Sequence, residues 1–238
     1  MSFILAFVPA RGGSKGIARK NLAKLNGKPL ISHTLEICKK IEVLGATLVS
    51  TNDEEIAKFC SAQGFHTDYR RPPHLATDEA QMIDAVLHAV NWYETKHSCI
   101  VDHVLLLQPT SPLRRFQDIS RALKYYRDNQ LESLVGVTPM REHPFECIEA
   151  PEDGSEWSYL KKPSKLATRR QDYQGRFGFI DGSIYIASVD FVKQNRDFVV
   201  EGKTFLFFID QRYSIDIDEP DDLKMAEIIL KDSKGGTI

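Results

Sequence analysis

The chain has 238 residues, with 31 Lys and Arg against 33 Asp and Glu and a formal net charge of -2. A hydrophobic fraction of 42% can fill a substantial core, and no run approaches the roughly 18 apolar residues of a membrane span, which argues against both disorder and membrane residence. The balanced charge also argues against a protein that works by gripping nucleic-acid phosphates, because that needs a basic surplus.

Residues 3–8 form the first apolar, strand-like run. It is too short, and lacks the charged flank, for a secretory signal, so a cytoplasmic protein is expected. Residues 46–51 are the next strand candidate, followed by Ile56, Phe59 and Cys60 at helical spacing, with Thr51 and Glu54 placed as a capping box. A strand is expected over residues 65–69, then a helix carrying Ile83, Val86, Leu87 and Val90 on one face. Residues 103–107 read as a strand and residues 108–115 as a loop. Ile119, Ala122, Leu123 and Tyr126 give a further helix, and residues 133–138 a further strand.

This alternation predicts an α/β fold, a three-layer domain with a mostly parallel sheet covered on both faces. Residues 140–178 break the pattern with Pro144, Pro151, Gly154 and Pro163, and read as an excursion or a dimerisation arm within a single domain spanning residues 1–238. Regular pattern resumes over residues 179–187, 204–209 and 213–218. A last helix follows, with Leu223, Ala226 and Leu230 on one side. Cys38, Cys60, Cys99 and Cys147 are far apart with no CxxC pair, so neither a zinc site nor a redox motif is indicated.

The segment after the first strand carries the strongest chemical signal. Gly12, Gly13, Ser14 and Gly16 let the backbone curl around an anion, and Arg11, Lys15, Arg19 and Lys20 supply countercharge, which together describe a polyphosphate cradle. A Walker loop is excluded because Ile17 stands where its second glycine belongs, and Ser14 breaks the dinucleotide fingerprint. Near the other end, Asp216 and Asp218 lie two apart in an extended stretch. That spacing points both carboxylates to one face, where they can share a Mg²⁺ with phosphate oxygens. Asp218 is equally well placed to cap the last helix, ahead of Glu219 and Pro220.

Four motifs in order resemble the acylneuraminate cytidylyltransferases, the CMP-sialic acid synthetases. They are Pro9-Ala-Arg-Gly-Gly-Ser-Lys-Gly16 with Lys20 and Asn21, Gln108-Pro-Thr-Ser-Pro-Leu-Arg114, Arg169-Arg170-Gln171-Asp172, and Asp216-Ile-Asp218. The resemblance spans nearly the whole chain and implies a nucleotide-diphospho-sugar transferase-like fold. It also implies attack by the anomeric hydroxyl of a nine-carbon 2-keto sugar acid on the α-phosphate of CTP, with Mg²⁺ as cofactor and pyrophosphate as the leaving group.

By that resemblance Arg11, Lys20 and Asp218 are catalytic, and Ala10, Gly12, Gly13, Ser14, Asn21 and Arg71 bind the nucleotide. Gln108, Arg169 and Arg170 bind the sugar acid, and Asp216 and Asp218 hold the metal. The arm around Arg169 and Arg170 would lie at a homodimer interface. On its own residues, Arg71 reads as a surface side chain beside two prolines, Gln108 as a turn residue, and Arg169 and Arg170 as a solvated pair. The chain departs from the resemblance at Gln81 and Met82, where small hydroxyl residues are usual. Gln81 can instead complete a capping box with Asp78. It departs again at Asp181, which precedes Gly182 in place of an Asn and points to a legionaminic- or pseudaminic-type acceptor. A cytidylyltransferase for the eight-carbon acid Kdo and a CTP-binding module without turnover are the competing readings.

Overall fold

The computed structural model describes residues 2–65, 68–161 and 177–235. In chain order these form β1 (Ile4–Pro9), β2 (Lys24–Leu25), β3 (Lys28–Pro29), α1 (Leu30–Cys38), β4 (Ala46–Ser50) and α2 (Glu54–Ala62). Then come α3 (Met82–His97), β5 (His103–Leu106), α4 (Phe116–Asp128), β6 (Ser133–Pro139) and the small strands β7 (Ile148–Glu149) and β8 (Ser158–Tyr159). The chain finishes with β9 (Gly178–Ser188), α5 (Val189–Asn195), β10 (Phe205–Phe208) and α6 (Pro220–Gly235).

The main sheet has the order β10-β6-β9-β5-β1-β4. β1 runs parallel to β4 and β5, and β10 parallel to β6, while β9 opposes both β5 and β6. The expected mostly parallel sheet is therefore present, with β9 as the reversed strand. Both faces are covered, and the alternation of β1 shows how. Ile4, Ala6 and Val8 pack with residues of α1, α2 and α4, whereas Leu5 and Phe7 pack with residues of α3 and α5. Among the described residues no helix is long and apolar enough to cross a membrane. All four cysteines are free, and burial pushes the Cys38 thiol up to about 11 and Cys60 up to about 12, so both are unreactive core residues.

Four local expectations are corrected. Helix α2 is capped by Asp53, whose Oδ1 accepts from the amides of Glu55 (2.8 Å) and Ile56 (3.0 Å), so the Thr51–Glu54 capping box does not form. Thr51 Oγ1 instead accepts from the Asp53 amide at 3.0 Å. No strand forms among the described residues of 65–69, because Tyr69 turns inward against Trp92 of α3 and bonds His88 (2.9 Å) rather than extending the sheet beyond β4. Residues 214–218 join no strand. They run extended, with Ile217 N donating to Thr110 O at 2.7 Å, but among the described residues no neighbouring strand ladders with them. Finally, Gln81 precedes α3 without a side-chain cap bond, and Asp78 is engaged elsewhere. In the segment read as a dimerisation arm, β7 and β8 pair as an antiparallel ladder, and residues 162–176 lie outside the described residues.

Candidate active site

From β1 the chain crosses to β4 on one side and later to β5 on the other, so the loops after β1 and β5 diverge at the carboxyl edge of the sheet. A crevice at such a switch point is where open α/β sheets bind ligands. A cavity of about 470 Å³ lies there, lined on one side by Pro9, Arg11, Ser14, Lys15, Gly16, Lys20 and Asn21. Arg71 and Met82 form a second wall, and Gln108, Pro109, Thr110, Asp218 and Glu219 a third.

The glycine loop is held in shape by its neighbours. Ala10 is fully buried in the core and its amide donates to Ser50 O at 2.9 Å. Gly12 N donates to Asn52 Oδ1 at 3.0 Å, and a Cβ on Gly12 would stand 2.8 Å from an Asp53 carboxylate oxygen. Gly16 is under a stricter constraint, since a Cβ there would lie 2.2 Å from the backbone oxygen of Asp218. Only glycine lets the loop approach the acidic segment so closely. Asn21 is buried and donates its side-chain amide to Arg11 O at 3.0 Å, which closes the loop on itself.

Arg71 is buried at 4% exposure, which corrects its sequence-only reading as a surface residue. It donates to Ser50 Oγ (2.9 Å) and Ser50 O (3.0 Å). Burial, with the Arg11 charge close by, pulls its guanidinium down to about 10, so it remains a cation at neutral pH and faces the cavity with little water around it.

Gln108 follows β5, and its backbone oxygen accepts from Arg114, a residue the sequence reading left in a motif without a role. Arg114 is buried, donates also to Thr34 Oγ1 at 3.2 Å, and is pulled down to about 10 by burial against the opposing charges of Asp181 and Asp216. Among the described residues, its Nε, Ser111 Oγ and Asp181 Oδ2 are buried without hydrogen-bond partners. Asp181 Oδ1 accepts from Ser183 N (3.1 Å) and Ser183 Oγ (2.7 Å), beside the register shift where β6 and β9 pair around Gly182, whose φ is +75°. A bulge there turns a carboxylate inward next to the Gln108 loop.

Asp216 and Asp218 are placed by their neighbours in sequence. Ile215 and Ile217 are buried in a small cluster with Leu25, Leu30, Leu113 and Ala226, and alternation leaves the two carboxylates on the opposite side. The Asp218 carboxylate accepts from Lys20 Nζ at 2.8 Å. The start of α6 is served by Asp222, whose carboxylate takes the amides of Asp218 (2.9 Å) and Glu219 (2.7 Å), so Asp218 is not spent as the cap.

Withdrawal of water raises the Asp216 carboxyl above its ordinary value of 3.8; the Thr110 hydroxyl and the Lys20 and Arg114 charges oppose the rise, and the Asp218 charge adds to it. The native fold thus carries a penalty that is present above the folded pKa and disappears below pH 3.8. Asp216 is exposed, which screens this penalty, so Asp216→Asn is expected to raise the melting temperature only slightly at neutral pH, with the gain vanishing as pH falls below that value. Thermal unfolding across pH checks this, and a gain that persists in acid would contradict it.

Of the residues singled out in the sequence, the cavity gathers Arg11, Ser14, Lys20, Asn21, Arg71, Gln108 and Asp218. Ala10, Gly12 and Gly13 sit behind or beside its wall, Asp216 adjoins through Thr110, and Arg169 and Arg170 lie outside the described residues. Among the described residues no group of three or more His, Cys, Asp and Glu converges as a metal cage. Asp218 on the wall of this open, cation-lined cavity, with Asp216 adjoining it through Thr110, offers oxygen donors that fit a hard divalent cation taking its remaining ligands from phosphate oxygens and water.

Three comparisons bear on this arrangement. A family model described as Cytidylyltransferase matches residues 5–169. The chain is 33% identical to the post-translational flagellin modification protein B of Campylobacter coli, over 98% of this chain and 97% of that protein. It is also 33% identical to the CMP-N,N'-diacetyllegionaminic acid synthase of Legionella pneumophila, over 96% of each. Among solved structures, a CMP:2-keto-3-deoxy-manno-octonic acid synthetase complexed with CTP superposes with a TM-score of 0.69 at 18% identity, covering 98% of this chain and 100% of that one. At that identity the likeness bears on the fold.

Proposed function

As the chain belongs to the cytidylyltransferase family, we propose that it transfers CMP from CTP to the anomeric hydroxyl of a nine-carbon 2-keto sugar acid and releases pyrophosphate. The observation that carries this reading is the convergence of Arg11, Lys20, Asn21, Arg71, Gln108 and Asp218 on one cavity at the sheet's switch point.

In this scheme Arg11 and Lys20 hold the triphosphate and stabilise the charge that grows on the departing pyrophosphate, while Ser14 and the loop backbone seat it. Arg71, desolvated and cationic, holds the nucleotide from the second wall. Gln108 orients the sugar acid from the third, with Arg114 fixing its backbone. Arg169 and Arg170 are assigned to the sugar carboxylate, for which guanidinium groups offer two parallel donors. Ala10, Gly12 and Gly13 contribute backbone to the nucleotide side. Asp216 and Asp218 would hold Mg²⁺, which when bound supplies Lewis-acid charge neutralisation at the phosphates.

The acceptor is assigned to the legionaminic type on two supports, the 33% identity to a CMP-N,N'-diacetyllegionaminic acid synthase and the inward carboxylate of Asp181 beside the Gln108 loop. A homodimer is supported by an apolar surface on and beside the segment read as the arm, where Ile148, Trp157, Leu160 and Phe179 are each more than half exposed. A cytoplasmic location accords with the use of CTP.

The direct test is pyrophosphate release from CTP with Mg²⁺ against legionaminic, pseudaminic, sialic and Kdo acids, with ATP, GTP and UTP as controls. Turnover with CTP and a nine-carbon acid is expected. Turnover with Kdo alone would move the acceptor to eight carbons, and CTP binding without turnover on any acid would leave a binding module.

A further inference from the structure

All four cations of the glycine loop already have carboxylate partners. Arg19 pairs with Glu55, and Lys20 with Asp218 at 2.8 Å. The other two share one group: Asp78 Oδ1 lies 2.7 Å from the Arg11 guanidinium and Asp78 Oδ2 lies 2.9 Å from Lys15 Nζ. Asp78 belongs to the loop ahead of α3, not to the acidic pair, and Arg11 also donates to Thr77 O at 2.9 Å, so the clasp joins two loops at the cavity. Two carboxylate oxygens on two wall cations are the same chemistry that a pair of phosphate oxygens offers. The Asp78 side chain is 41% exposed and Lys15 81%, so these pairs are screened and readily exchanged.

We propose that Asp78 is the resident counter-anion of the phosphate loop. It holds Arg11 and Lys15 in the empty site, yields them to the incoming triphosphate, and retakes them as pyrophosphate departs, so that the product leaves rather than lodging among unpaired cations. This rests on the nucleotide reading above and adds a role for a residue that touches the phosphate-binding cations without touching the reacting atoms.

The test is calorimetric binding of CTP, inorganic tripolyphosphate, pyrophosphate and cytidine to the full chain and to Asp78→Asn, with pyrophosphate inhibition of turnover measured alongside. Two exchangeable pairs predict about tenfold tighter binding of both polyphosphates to the variant, and a pyrophosphate inhibition constant lower by the same factor. Cytidine affinity should be unchanged, Asp78→Glu should behave as the native chain, and the difference should shrink at high salt. A brace that merely positions Arg11 would give the opposite sign. Unchanged or weaker polyphosphate binding by Asp78→Asn, with the native chain binding CTP normally, overturns this proposal alone. A native chain that binds neither CTP nor tripolyphosphate overturns the nucleotide reading and this proposal with it.

Discussion

Replacing Asp218 with Asn is expected to lower turnover by about 10²–10³-fold, the loss that follows when several kcal/mol of charge stabilisation is removed from a transition state. The fold should survive. The Asp218 side chain is largely exposed at 69%, the amides just ahead of α6 are bonded by Asp222, and the segment is anchored by Ile215 and Ile217 underneath. The variant also releases Lys20 from its 2.8 Å contact, so CTP without Mg²⁺ should bind no more weakly than to the native chain. The expected pattern is a collapse in kcat with metal-free CTP affinity and melting temperature preserved. A rate within about threefold of native would remove Asp218 from the mechanism.

Gly16→Val is expected to cost about 10²-fold in activity through geometry, because a misplacement of about 1 Å at a reacting centre carries a loss of that size. The side chain has no room to form where the loop meets the acidic segment. Its Cβ would sit 2.2 Å from the Asp218 carbonyl and 2.8 Å from a Glu219 carboxylate oxygen, and the first of these is backbone that cannot swing aside. The loop must retreat, separating Lys20 and Ser14 from the Asp218 side of the cavity. Gly13, with nothing within 4 Å of the corresponding position, is the internal control, and Gly13→Ala should be mild. Steady-state kinetics of the two variants side by side make the comparison. Equal losses would show that the loop needs glycine for flexibility rather than for close approach.

Much of the nucleotide side was legible in the sequence because it is local. The cradle's glycines and cations fall within a dozen residues after one apolar run, and a strand followed by such a loop has few other uses. Asp216 and Asp218 were legible as a pair for a similar reason. Two-residue alternation survives even though residues 214–218 pair with no strand, because Ile215 and Ile217 still need burial. The α/β alternation likewise foretold helices on both faces of a mostly parallel sheet.

Choices among nearby residues of similar chemistry were decided by tertiary contacts. Thr51 and Asp53 both stand where a cap for α2 is expected, and the carboxylate reaches two amides. Asp218 and Asp222 both stand near the start of α6, and the contact to Lys20, 198 residues away in the chain, is what reserves Asp218 for the cavity. Arg71 has the sequence of a surface residue, yet Ser50 at the end of β4 supplies the acceptors that make its burial tolerable. Asp78 has the spacing of a helix cap and instead clasps two cations of a loop some 65 residues earlier.

By itself, then, the sequence determined the strands of the main sheet, helices α2, α3, α4 and α6, their layering and the chemical character of the loop, since propensity, periodicity and short motifs depend on near neighbours. Only the tertiary structure decided which carboxylate meets which cation. Those pairings join residues that are distant in the chain, and their energies depend on distance and water exclusion, neither of which is written in local order.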